Sequence, residues 1–147
     1  MNTISFKVPG VPAAKGRPKF RVIKGHAMAY TPAKTKWAEQ SVLDAFKAAY
    51  PSFKSPLEGP IVLTAKFYMP VPASLSKKKK ESMYGKPHVI RPDTDNLLKT
   101  VCDALNGVVW KDDSQIFSVS SGKMYIREEP STHIWIEEVN PDEYGES

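Results

Sequence analysis

Hydrophobic spacing in this chain switches between a period of two and the period of about 3.6 typical of a helix, with proline at the seams. That switching restricts the fold more than any other feature. Thr3–Val8 alternates, placing Ile4, Phe6 and Val8 on one face; this predicts a strand, ended by Pro9-Gly-Val-Pro12. Thr31-Pro32 reads as an N-cap followed by proline at the first helical position. The helix predicted from there to Tyr50 has the stripe Ala38, Val42, Ala45, Phe46 and Ala49, with Pro51 just past its end. Pro60–Met69 is rich in β-branched and aromatic residues and predicts a second strand, closed by Pro70-Val-Pro72.

A second helix is predicted over Asp95–Asn106, with Leu98, Val101, Cys102 and Leu105 as its stripe. Asp95 stands as its N-cap and Asn106-Gly107 as its stop. Val108–Trp110 allows a short extra strand. Gln115–Arg127 and Thr132–Val139 predict the two strands of a hairpin joined around Glu128-Glu-Pro130. Ala13–Ala29 is a basic, glycine-containing loop without a clear period. Ser74–Pro87 is polar and carries Lys77–Lys80, a solvated loop or helix end, or alternatively a phosphate contact. The order is β-α-β-(basic loop)-α-β-β. The expected fold class is α/β (mixed α+β), one domain over residues 1–147. It should hold a mixed sheet of about four to five strands packed with two main helices, and an acidic tail, 140–147, that frays.

With 147 residues, 41% of them hydrophobic, the chain can bury a real core as a single unit. No apolar run is long enough to span a bilayer, and the N-terminus lacks the layout of a signal peptide, so no membrane partner and a cytoplasmic location are expected. The single cysteine, Cys102, excludes an intrachain disulfide and a Cys-based zinc site; it reads as a small core residue. Net charge is +5 and unevenly spread. Residues 1–40 hold eight Lys or Arg (Lys7, Lys15, Arg17, Lys19, Arg21, Lys24, Lys34, Lys36) against one acid, Glu39. Residues 111–147 hold three basic residues against nine acidic. The basic part suits a polyanion, since neutralising phosphates releases counterions; the plainer reading is a solubilising surface.

Chemistry concentrates in Arg91-Pro-Asp-Thr-Asp-Asn-Leu-Leu-Lys99 and Trp110-Lys-Asp-Asp113. Asp93 and Asp95 stand two apart, and the turn after Trp110 brings Asp112 or Asp113 toward them. Converging carboxylates repel one another unless a cation is bound, and hard oxygen donors suit Mg²⁺ or Mn²⁺. Lys99, one helical turn beyond Asp95, is either half of an i, i+4 ion pair or a cation for charge developing on a phosphate. The EF-hand alternative fails because its sixth and twelfth positions would be Leu98 and Ala104. No glycine-rich phosphate loop or nucleophile elbow is present.

These residues closely resemble a known signature. Asp93-Thr-Asp-Asn-Leu-Leu-Lys99, Asp103-Ala-Leu-Asn106 and Trp110-Lys-Asp-Asp113 are similar to the core of the RusA family of Holliday junction resolvases. Gly10-Val-Pro-Ala-Ala-Lys-Gly-Arg-Pro-Lys-Phe20 and Thr31-Pro-x-x-Thr35 are similar to segments of its phage-type members. The resemblance implies a Mg²⁺-dependent endodeoxyribonuclease, Mn²⁺ substituting, that acts as a homodimer on branched DNA and resolves four-way junctions in recombination and repair. It implies Asp93, Asp95 and Asp113 as catalytic metal ligands and Lys99 as the essential lysine. Lys15, Arg17, Lys19, Arg21, Lys24 and Arg91 are the expected DNA contacts. Where some family members have a basic residue directly before the first aspartate, this chain has Pro92, with Arg91 one further back. The alternatives are a metal-dependent nuclease for other branched DNA and a non-catalytic DNA-binding module of the same fold.

Overall fold

A computed structural model describes the backbone of residues 2–14, 19–23, 25–30 and 33–145, and the side chains of 3–14, 25 and 36–145. The elements are β1 (Asn2–Pro9), β2 (Lys19–Ile23), β3 (His26–Tyr30), α1 (Ala33–Ala49), β4 (Ile61–Met69), α2 (Lys77–Met83), α3 (Thr94–Leu105), β5 (Ile116–Tyr125) and β6 (Ser131–Glu138). Four strands form one mixed sheet in the order β1-β6-β4-β5, and β2 pairs with β3 separately. β6 runs antiparallel to both β1 and β4, while β5 runs parallel to β4. The mixed α+β class, the single domain and the sheet size are as expected.

Alternation explains the layering. Along β4, Ile61, Leu63, Ala65, Phe67 and Met69 are buried, and the residues between them are half-buried. They meet Ile4, Phe6 and Val8 of β1, Ile134 and Ile136 of β6, and the helices above. α1 packs on β1 and α3, and α3 also reaches β5. Phe46 of α1 sits among Phe6, Tyr50 and Phe53 with ring centroids 5.2–5.7 Å apart. Such a ring replaced by alanine costs about 3–5 kcal/mol. The Tyr50 hydroxyl accepts from Ser5 N–H at 2.9 Å and donates to Ser5 O at 3.1 Å, tying the end of α1 to β1.

Several expectations are corrected. The aperiodic loop over Ala13–Ala29 contains the β2–β3 hairpin, in register from Lys19↔Tyr30 to Ile23↔His26. Gly25, at φ +80°, takes the left-handed conformation tight hairpin turns use. β5 and β6 are strands, but they do not pair with each other: β4 lies between them. Their connection arches past the end of β4, where Ile126 N–H donates to Met69 O at 3.0 Å and Gly10 N–H to Pro130 O at 3.1 Å. A third helix, α2, carries Lys77–Lys80, and the Ser76 side chain caps it by accepting from Lys79 N–H at 3.2 Å. Val108–Trp110 is a turn joined by isolated bridges to Leu57 and Asn106 rather than a strand. The caps expected at Thr31-Pro32 lie outside the described residues. The acidic tail makes a short 3-10 turn at Pro141–Glu143, capped by Asn140, and the Tyr144 ring meets Phe117 edge-on at 5.5 Å. Among the described residues, no helix is long and apolar enough to cross a membrane.

Candidate active site

α3 begins at Thr94, so its N-cap is Asp93 and not Asp95. Asp93 has extended backbone, φ −69° and ψ 144°, and its side chain makes no capping hydrogen bond. Asp95 falls in the first turn, where the positive end of the helix dipole favours a carboxylate. The two acids therefore straddle the start of the helix, Asp93 as its extended cap residue and Asp95 within its first turn. The buried stripe shifts by one residue from the expected one: Leu97, Val101, Ala104 and Leu105 are buried, with Leu98 and Cys102 only partly so. That rotation leaves Asp95 and Lys99 exposed on a single helix face.

Ion pairs among the described residues include Lys111–Glu58 and Arg127–Glu81. The i, i+4 pairing of Asp95 with Lys99 is not formed, so both charges remain available to a ligand. The Arg91–Pro92 peptide bond is cis. Arg91, Pro92, Asp93 and Asn96 line an open cleft of about 800 Å³ together with Val11–Ala14 and Met69. Ala14, the last described residue before the basic segment, lines this cleft. Lys15, Arg17 and Lys24 lie outside the described residues, and of Lys19 and Arg21, on β2, only the backbone is described. A second cavity of about 390 Å³, walled by Trp37, Val42, Leu97 and Val101, has no ionisable side chain in its described lining and offers no comparable chemistry.

Asp112 and Asp113 have different employments. The Asp112 carboxylate accepts from Ser114 N–H at 2.9 Å, and Gln115 Oε1 accepts from Asp112 N–H at 2.8 Å, a capping box on the 3-10 turn Asp113–Gln115. The hydrogen bonds from Ser114 hold the Asp112 carboxyl below its ordinary range. Gln115 Nε2 donates to Leu57 O and Gly59 O at 2.9 and 3.0 Å, pinning this turn to the chain that leads into β4. Asp113 Oδ1 accepts from the indole of fully buried Trp110 at 2.7 Å. Burial first, and then the Asp113 and Asp103 carboxylates, push the Cys102 thiol up to about 12. Asp113 is thus near enough to α3 for its charge to act on Cys102. Cys102 is seven residues past Asp95, roughly 10 Å along the axis.

Asp93 and Asp95 bring hard carboxylate oxygens, the donor type Mg²⁺ and Mn²⁺ take. Among the described residues, no three His, Cys, Asp or Glu side chains are gathered into a group able to hold a metal ion. The acids fit a site of one or two carboxylates completed by water and a substrate phosphate, which is how Mg²⁺ commonly sits in phosphoryl-transfer sites. Asp113, turned to Trp110, is not gathered with them into a closed cage. Sequence reasoning missed Lys123. This β5 residue donates from Nζ to Ile90 O at 2.6 Å and Pro92 O at 2.7 Å, just ahead of Asp93. Only the pairing of β5 beside that loop could have revealed it.

Residues 9–137 match the family model described as endodeoxyribonuclease RusA. This chain belongs to the RusA endodeoxyribonuclease family. The matched span takes in the cleft, α3, the Trp110–Asp113 turn and the whole of β5. The chain is also 37% identical over 144 residues to the uncharacterized protein YqaN of Bacillus subtilis (strain 168), covering 95% of this chain and 99% of that one. RusA membership makes the protein a nuclease by family.

Proposed function

We propose that this RusA-family protein is a Mg²⁺-dependent endonuclease that resolves four-way DNA junctions by paired, symmetric nicks. The observation that carries the reading is the cleft itself. Asp93 lines it, at the start of the helix that exposes Asp95 and Lys99, together with Val11–Ala14, which lead into the basic segment. An acid pair lacking a structural partner among the described residues, near a cleft lined by the residues that lead into the basic segment, suits a cation bridging protein and phosphate.

Asp93 and Asp95 would hold the ion, and Asp113, with one carboxylate oxygen not bonded to Trp110, is the further candidate ligand. The chemistry such an ion supplies when bound is activation of the attacking water and neutralisation of charge on the phosphate. Lys99, a cation without an ion-pair partner among the described residues, stabilises negative charge developing on the phosphoryl oxygens. The α3 N-terminus adds unpaired backbone N–H groups that favour an anion at the same place. Lys15, Arg17, Lys19, Arg21, Lys24 and Arg91 hold the DNA backbone, which fixes register without reading sequence. A junction has approximate two-fold symmetry, so a C2 homodimer would put one site on each of two opposed strands.

The test is cleavage of end-labelled four-way junction, fork and linear duplex with and without Mg²⁺. The reading expects symmetric nicks in the junction only when Mg²⁺ is present. Equal cutting of all three substrates would replace it with a less selective branched-DNA nuclease. Tight binding without cleavage would replace it with a DNA-binding module.

A further inference from the structure

The chain between α2 and Asp93 is laid along the outer end of β5. Gly85 N–H donates to Tyr125 O at 2.8 Å, Tyr125 N–H to Lys86 O at 3.0 Å, and His88 N–H to Lys123 O at 3.2 Å. Pro87 bridges Met124 in the antiparallel sense. Beyond His88 the described backbone pairing stops, and Val89 and Ile90 are 83% and 58% exposed. Yet this is the stretch that must deliver Asp93 to a fixed place. The backbone ladder gives way there to one side chain. Lys123 Nζ reaches across to the carbonyls of Ile90 and Pro92, on either side of Arg91 and directly ahead of Asp93. From Asp93 onward the helix takes over, with Leu97 N–H donating to Asp93 O at 3.1 Å.

We infer that Lys123 is a positioning residue of the nuclease site, its ammonium clamping the Ile90–Pro92 backbone and so fixing where the Asp93 carboxylate stands. Two of its three N–H donors are spent on these carbonyls. Both acceptors are neutral backbone carbonyls, so the contact fixes the path of the chain into Asp93. This inference rests on the reading of Asp93 as a ligand of the divalent ion. A group that orients a metal ligand without touching the metal commonly changes affinity by about 10–100-fold when removed. Methionine at this position keeps the aliphatic stem and loses both donors and charge. Arginine keeps charge and donors.

The experiment compares wild type, Lys123→Met, Lys123→Arg and Asp93→Asn by amide hydrogen exchange and by calorimetric Mg²⁺ titration. Lys123→Met is expected to speed exchange at Leu97, the first hydrogen-bonded amide after the clamp, and at the α3 amides just beyond it by about tenfold, leaving β4 unchanged, and to weaken Mg²⁺ binding by about tenfold. Lys123→Arg should recover most of both effects and guards against a variant that simply fails to fold. Unchanged exchange at Leu97 and those α3 amides overturns the clamp. Faster exchange with unchanged Mg²⁺ affinity overturns the link from clamp to site. If Asp93→Asn binds Mg²⁺ as tightly as wild type, the ligand reading itself fails, and the inference falls with it by a separate measurement.

Discussion

Trp110 donates its indole N–H to Asp113 Oδ1 at 2.7 Å, and the indole is completely buried. A buried indole N–H needs an acceptor, so Asp113 has a structural employment as well as the proposed catalytic one. One carboxylate oxygen is committed, and Oδ2 remains for a ligand. Trp110→Phe removes the donor and leaves a modest cavity. It should destabilise the fold by about 1–3 kcal/mol and slow cleavage by freeing Asp113 to turn. Chemical denaturation and single-turnover junction cleavage check the two halves. Loss of stability with an unchanged rate would confine Asp113 to supporting Trp110.

The charge-stabilising role proposed for Lys99 falls to a cation with no ion-pair partner among the described residues. Lys99→Met should cut the single-turnover rate by about 100-fold or more while junction affinity stays within about twofold. A matching loss in affinity and rate would make Lys99 a DNA contact only.

The two basic regions should separate in a salt titration. For every phosphate the protein no longer neutralises, the slope of log affinity against log salt falls by about 0.9. Alanine at Lys15, Arg17 and Lys24 should flatten the slope. Alanine at Lys77, Lys78 and Lys79, exposed on α2, should leave it unchanged. A flatter slope in the α2 variant would add that helix to the DNA-binding surface.

Stability should depend on pH through His88. It is 7% exposed, its Nδ1 has no hydrogen-bond partner, and its ring lies 4.9 Å from Tyr125. Burial, and then the Lys123 charge, lower its pKa from the ordinary 6.5. A depressed folded-state pKa means the unfolded chain takes up the proton more readily. The contribution of His88 is therefore present above pH 6.5 and is lost as pH falls through the lowered folded value. Melting temperature should drop on acidification from about pH 7 to about pH 5. Part of that drop should vanish in His88→Phe. An identical acid-side slope in the variant would remove His88 from the account.

Much of the fold was legible locally. β1, α1 and β4 follow their hydrophobic periods, and the acid-lysine segment stood out by spacing alone. Pairing was not legible. The short link from β5 to β6 suits a hairpin, yet β4 is inserted between them and takes β5 in parallel. Nothing in either segment encodes that, because the partner is distant in sequence. The β2–β3 hairpin was hidden by strands of five residues each, too short to establish a period. At α3 the cap assignment was off by two residues because both aspartates are good cap types. Only the backbone decides between Asp93 and Asp95, and that choice leaves Asp95 free. Lys123 was invisible for the same reason as the strand order: its partners lie 31 and 33 residues away.

The Asp93–Asp95 pair is proposed to drive metal-dependent cleavage of branched DNA. The most direct measurement is single-turnover cutting of a labelled four-way junction by wild type and Asp95→Asn, each with and without Mg²⁺, alongside binding in the absence of metal. The prediction is symmetric nicks by wild type only with Mg²⁺, a loss of at least about 100-fold in Asp95→Asn, and junction binding by the variant as tight as wild type or tighter. Cleavage by Asp95→Asn at the wild-type rate in Mg²⁺ would contradict it.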